Sequence, residues 1–194
     1  MKGYTSKNDI ERYMLTDIDE SFNTQINEWI ESVEDSIDEY TGRNFIADTE
    51  ASVKYYDGDG THELLIDDCV ELEKIEMSGA LMESEELDED DYYVYPYNRT
   101  PKTRVYYDGI FVRDNKNIEV TAKWGYSESV PSDIKLAATI MVSLIIEEAH
   151  QSEGETDSES IGSYSVSYKK SDTNQNKVSR AKTILDRYRK INIK

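Results

Sequence analysis

A single cysteine, Cys69, stands in a chain of 194 residues, which excludes an internal disulfide framework. There are only two histidines, His62 and His150, and they form no metal-spaced pair. Three prolines and nine glycines are too few for a disordered chain. The opening MKGYTSKNDIERYML lacks a continuous apolar core, so no signal peptide is visible and cytoplasmic synthesis is expected. Cations are scarce: 22 basic residues face 41 acidic ones, a formal net charge of −19. Such a chain repels phosphate and is no general DNA binder. The balance suits a DNA mimic, a surface that DNA slides past, or a merely very soluble protein. The length is that of one domain with an insertion and a tail.

Signatures of catalysis are missing too. No GxxxxGK[ST], GxSxG, HExxH or CxxC occurs. Asp57-Gly58-Asp59-Gly60 resembles the start of a calcium loop, but the sixth position is His62 and the twelfth Asp68, where an EF-hand needs Gly and Glu. The acidic run Glu83 to Asp91 reads as a solvated loop. Carboxylates are so abundant that no particular pair is informative as acid and base. No cofactor or metal is implied.

What is present begins with Val130 to His150, VPSDIKLAATIMVSLIIEEAH, dense enough in apolar residues to be buried nearly all round. Pro131, Ser132 and Asp133 suit a helix start. Asp133, Lys135, Glu147 and Glu148 shorten its apolar part below a membrane span, so it reads as the central helix of a soluble core. Ser6-Lys7-Asn8-Asp9 resembles a capping box opening a short helix to about Leu15. A second helix is expected from about Asp19 to Thr41, with Phe22, Ile26, Trp29, Ile30, Val33, Ile37 and Tyr40 as its stripe. Gly42 is placed to end it. Glu28, Glu31, Glu34, Asp35 and Asp38 lie on its other face, read either as solvated or as a wall toward a channel or neighbour.

From Arg43 to Tyr126 the period becomes strand-like. Ser52 to Tyr56 and Leu64 to Ile66 flank Asp57 to Gly60 as an expected hairpin. Val70 to Met77, Tyr92 to Tyr95 and Ile118 to Trp124 read as strands, with Arg104 to Tyr107 and Ile110 to Val112 flanking Asp108-Gly109 as a second hairpin. Gln151 to Ser160 reads as a flexible acidic linker. Ile161 to Tyr168 alternates apolar residues with serine, and the last helix carries Val178, Ala181, Ile184, Leu185 and Tyr188 on one side and basic residues on the other. The fold class is α+β: a helical core of about four helices, residues 1–150, an antiparallel β-rich insertion at about 43–126, and a C-terminal strand plus basic helix at 161–194.

In order, the chain shows Glu39-Tyr40-Thr41-Gly42-Arg43-Asn44-Phe45, Tyr56-Asp57-Gly58-Asp59-Gly60-Thr61, Trp124-Gly125-Tyr126, Val130-Pro131-Ser132-Asp133-Ile134-Lys135 and Ile161-Gly162-Ser163-Tyr164-Ser165-Val166. A terminal helix with Ala181, Ile184, Leu185, Tyr188 and Arg189 comes last. That succession resembles the head-tail connector, or head-completion, proteins of tailed bacteriophages and prophages. The resemblance implies a non-enzymatic virion protein assembled in the host cytoplasm. It would form a ring beneath the portal after DNA packaging, a dodecamer in the virion and either ring or monomer in isolation, extend the channel, and meet the next neck or tail-completion protein. It also implies a C-terminal segment that orders on docking to the portal. On this chain that points to Ile161, Tyr164, Val166, Tyr168, Arg180, Leu185, Arg187, Tyr188 and Arg189. The Tyr164-Val166-Tyr168 strand could add to a partner's sheet or pair within its own domain. The other functional reading is an acidic binding module that mimics DNA or inhibits a host protein.

Overall fold

The computed structural model describes residues 1–79, 82–149, 156–161, 164–169 and 171–190. The elements are α1 (Lys7–Met14), α2 (Asn23–Thr41), β1 (Ser52–Gly58), β2 (Glu63–Gly79), β3 (Met82–Glu86), β4 (Tyr92–Tyr95), β5 (Lys102–Tyr107), β6 (Asp114–Trp124), α3 (Ser132–Ala149), β7 (Thr156–Ile161), β8 (Tyr164–Lys169) and α4 (Asp172–Asp186). The fold is α+β, with these helices and an antiparallel sheet. The chain divides into two compact units, Met1–Arg43 with Val130–Lys194, and Asn44–Ser129.

In the first unit α3 packs against α1, α2, α4 and β8. Its buried residues run almost unbroken, Ala137 through Leu144, with Ile134 and Ile146 outside that run. Two of them are polar and both are satisfied. Thr139 donates to the Lys135 carbonyl at 2.8 Å and shares a hydroxyl contact of 2.7 Å with Thr5, while Ser143 donates to the Ile140 carbonyl. Among the described residues no helix is long and apolar enough to cross a membrane.

The caps arise from local chemistry. Ser6 accepts from the Asp9 N–H and donates its hydroxyl to the Asp9 carboxylate at 2.6 Å. Asp9 also meets Lys135 of α3 at 2.8 Å. Asp19 caps a single 3-10 turn, Glu20–Phe22, rather than the helix itself. Gly42 ends α2 at φ 67°, a left-handed conformation that costs a side chain more than it costs glycine. Ser171 caps α4 by accepting from the Asn174 N–H.

The buried stripe of α4 is Val178, Ala181, Ile184 and Leu185, and α4 packs against α3 and α2. Leu185 is fully buried, so its assignment to a docking surface is corrected: it belongs to the helical core. The chain after α4 is tied down as well. The Lys190 N–H donates to the Thr41 carbonyl at 2.8 Å, and the Arg43 guanidinium to the Tyr188 carbonyl.

Residues 156–160, read from composition as part of a linker, belong to β7. That strand pairs antiparallel with β8, from Thr156↔Lys169 to Ile161↔Tyr164. A ladder needs only backbone partners, which composition does not reveal. Residues 151–155 of the expected linker lie outside the described residues.

In the second unit the strand order is β1-β6-β2-β5-β4, with β3 pairing β2. Both expected hairpins are corrected. β1 pairs β6, not β2, and β5 pairs β2 and β4, while Ile110 to Val112 is a loop rather than its return strand. The Asp57 to Gly60 segment is still a turn, because the Asp59 carboxylate accepts from the Thr61 N–H at 2.9 Å. From Gly60 the backbone docks on the Ile110 to Val112 loop instead of turning back on β1. Gly60 donates to the Phe111 carbonyl and Phe111 to the Thr61 carbonyl, each at 2.9 Å. Gly58 passes so near this loop that a Cβ would sit 1.9 Å from the Val112 carbonyl oxygen. Buried Asn117 closes the junction by accepting from the Gly58 N–H and donating to the Val112 carbonyl.

β2 is a single strand of 17 residues because it has two successive neighbours on one side. β5 takes its first part and β3 its last, through Glu76↔Glu86 and Met77↔Glu85. The front of the expected acidic loop, up to Glu86, is therefore strand β3. The sheet's core holds Leu64, Ile75, Val105, Phe111, Ile118, Val120 and Trp124. Cys69 is buried among them, and burial pushes its thiol up to about 12, so it is not a nucleophile at neutral pH.

Two measurements test this packing. Leu185→Ala should lower the stability of the helical unit by about 2–5 kcal/mol in urea denaturation, the usual range for a buried leucine. The Asp9 carboxyl is pushed up by burial, but the bonds from Lys135 and Ser6 outweigh that and hold it below its ordinary value. A depressed carboxyl stabilises the fold above the unfolded-state pKa and loses that contribution as pH falls through the folded one. Asp9→Asn should therefore be less stable than the parent at neutral pH, with the difference closing below the carboxylate's ordinary value of 3.8. Urea midpoints measured across pH check it.

Candidate functional site

Charge is the first candidate for function, and α2 carries much of it. Its acidic residues do not form one wall. Glu28, Glu31 and Asp35 are exposed, but Glu34 is only 1% exposed and Asp38 is half-buried. The cause is the N-terminal segment, which is strapped along the helix. The Glu34 carboxylate accepts the backbone N–H groups of Lys2, Gly3 and Tyr4. Lys2 Nζ reaches Asp35 at 2.7 Å and Asp38 at 2.8 Å, and the Tyr4 hydroxyl donates to Asp38. Burial raises the Asp38 carboxyl against the lowering effect of Lys2 and Tyr4. Glu34 and Asp38 are thus corrected from a channel-facing wall to structural anchors. A carboxylate with two lone-pair-bearing oxygens is the side chain that can gather three converging donors.

The opposite sign collects on α4. Arg180 is exposed and has no ion-pair partner among the described residues. Arg187 contacts Asp133 at 3.1 Å, but Arg187 is exposed and Asp133 partly so, and such pairs contribute at most about 1 kcal/mol. Arg189 is exposed and lies 5.1 Å from the Tyr40 ring centre. Lys177 is committed to Glu147 at 2.6 Å. Arg180 and Arg187 line a shallow groove with Leu136, Asn176, Ser179 and Thr183 on the α3–α4 face. Tyr188 is half-buried. The side chains of Ile161, Tyr164, Val166 and Tyr168 lie outside the described residues. So the structure brings Arg180 and Arg187 together, leaves Arg189 beside α2, and removes Leu185 from the surface.

The sheet unit has a face that sequence reasoning passed over. Tyr93↔Tyr106↔Glu63 and Tyr95↔Arg104↔Leu65 form two rows across β4, β5 and β2. Tyr97 donates to the Tyr95 hydroxyl at 2.8 Å, Arg104 lies 4.9 Å from the Tyr95 ring centre, and His62 stacks on Tyr106. Leu65 is 63% exposed. The period-two spacing of Tyr93, Tyr95 and Tyr97 was the available signal. Among the described residues no group of three or more His, Cys, Asp or Glu side chains could hold a metal ion.

This is an α+β protein whose distinctive chemistry lies on faces and grooves. The head completion protein family matches residues 5–191, and the chain belongs to that family. That membership makes it a structural protein of the head-completion class. No curated protein matches the chain. Among solved structures it is similar to a chain in "Neck of empty GTA particle computed with C6 symmetry", at 9% identity and a TM-score of 0.54, covering 89% of this chain and 81% of that one. At that identity the likeness speaks for the fold.

The strap has a testable strength. Glu34→Ala strands three backbone donors, which should destabilise the helical unit by on the order of 3 kcal/mol. Urea denaturation reads the loss, and hydrogen exchange should show faster exchange at Gly3 and Tyr4.

Proposed function

We propose that copies of this chain form a dodecameric ring under the portal after DNA packaging, extend the DNA channel, and present the surface on which the next neck or tail protein seats. The ring belongs to the virion neck and is put together in the host cytoplasm. Family membership supports the setting. The observation that carries the portal contact is the exposed arginine pair Arg180, on α4, and Arg187, at its C-terminal cap, on a chain of net charge −19. Cations concentrated on one face of an acidic protein steer association toward an acidic patch and set its orientation. The β8 strand, with Ile161 at the end of its partner β7 and Tyr188 and Arg189 just after α4, completes the proposed docking region. Glu28, Glu31 and Asp35 remain exposed for the channel or a neighbour, and acidic walls let DNA pass without adhesion.

Co-sedimentation with an isolated portal ring tests the contact. Arg180→Glu with Arg187→Glu should reduce the portal-bound fraction at least tenfold, and added salt should weaken the parent protein in the same direction. Both positions are exposed, so the fold should be retained. Undiminished portal binding by the double variant would overturn the assignment.

A further inference from the structure

Near the N-terminal end of α2 lies an apolar groove lined by Ile18, Phe22, Ile26, Trp29, Ile146 and Ala149. Its floor is built, not incidental. The Glu11 carboxylate accepts the Ile18 N–H at 3.0 Å, which fixes the α1–α2 connection at the groove's lip. Phe22 keeps 41% of its surface exposed, and Leu15, in the same connection, keeps 91%. Asp17, Asp19 and Glu20 are exposed in that connection. The groove is therefore apolar inside and acidic at the lip.

The chain carries a segment of matching chemistry. After Lys190 the sequence reads Ile191-Asn192-Ile193-Lys194, two branched apolar residues and a cation. Its point of departure is fixed, because the Lys190 N–H is bonded to the Thr41 carbonyl at the C-terminal end of α2. Ile26 and Thr41 are fifteen residues apart on that helix, or about 22 Å at 1.5 Å per residue. The three residues from Ile191 to Ile193 extend at most about 11 Å. The segment cannot reach the groove of its own molecule.

We propose that this groove receives Ile191 to Lys194 of a neighbouring copy, with the isoleucines inside and Lys194 against the acidic lip. Donor and acceptor lie at opposite ends of one helix, so the contact is head-to-tail, and a contact of that type closes into a ring when its rotation permits. The proposal rests on the ring reading above and names the element that links consecutive subunits.

Reporters with one added cysteine in the full chain test it. Gln25 lines the groove and Lys194 ends the segment; native Cys69 is fully buried. Concentrated Gln25→Cys and Lys194→Cys proteins, mixed and treated with a short bismaleimide, should give a cross-linked dimer. A chain carrying both changes should give a ladder of higher species. Adding Ile193→Asp to the Lys194→Cys partner should lower the dimer yield at least tenfold, and so should adding Trp29→Ala to the Gln25→Cys partner. The Ile193→Asp arm alters no residue of the described fold, so its result stands even if Trp29→Ala unfolds. An absent dimer both in free solution and with isolated portal rings added, a yield indifferent to Ile193→Asp, or closure within single chains of the double reporter would overturn the proposal. Loss of the cross-link with portal binding intact would sink this linkage alone. Loss of portal dependence on Arg180 and Arg187 with the cross-link intact would sink the portal contact alone.

Discussion

A helix that is apolar on nearly every side has to be enclosed, and α3 sets that demand for the helical unit. One packing partner cannot meet it, since a single neighbouring helix covers only one stripe. α1 and α2 come from one part of the chain, β8 and α4 from another, and all of them pack on α3. The two polar residues inside its buried run turn their hydroxyls onto carbonyls of their own helix, so enclosure leaves no bond unmade. The sheet unit occupies the interval between these two parts, Asn44–Ser129. α4 is therefore part of the core on one side and the bearer of exposed Arg180 on the other, with Arg187 at its cap.

The acid-rich composition is handled in two ways. On α2, the carboxylates nearest the N-terminal segment become ligands for its backbone and for Lys2. On the sheet, like charges stand directly across from one another: Glu76 faces Glu86 on one side and Glu119 on the other. Such pairs oppose sheet formation. Lys74, 2.7 Å from Glu76 on the same strand, offsets part of that repulsion. Hydrophobic burial beneath the sheet, from Ile75, Ile118 and Val120, carries the rest.

Helices were the legible part of the sequence because their signals are local. Ser6, Gly42 and the stripe Ile26, Ile30, Val33, Ile37 marked caps and faces that appear where the spacing puts them. Strands were found more readily than their partners. The segments around Val53, Ile75, Val94 and Val120 alternate correctly, yet the turn after β1 leads to β2 while β6 lies between them. Pairing is decided by contacts distant in sequence, and the Asn117 junction with Gly58 has no local signature. Surface roles were the least legible. Glu34, Asp35 and Asp38 share a helix face and are all bonded by the Lys2 to Tyr4 segment, yet only Asp35 stays exposed, and that depends on the segment's path rather than on local sequence. Leu185 sits among arginines in sequence and still points into the core.

The distribution of the two units along the chain bears on how a nascent polypeptide matures. The sheet unit is one continuous stretch and can close as soon as it has been synthesised, because its strands need nothing downstream of Ser129. The helical unit has to wait, since α3 is translated well before α4, the helix that covers its remaining side. During that interval an oily surface is open to water and to other chains, the condition that favours aggregation or chaperone capture. A ribosome that stalls or is cut short before α4 would release a finished sheet attached to an unsealed bundle. Quality control would then reject incomplete subunits by their stickiness before they could enter a particle.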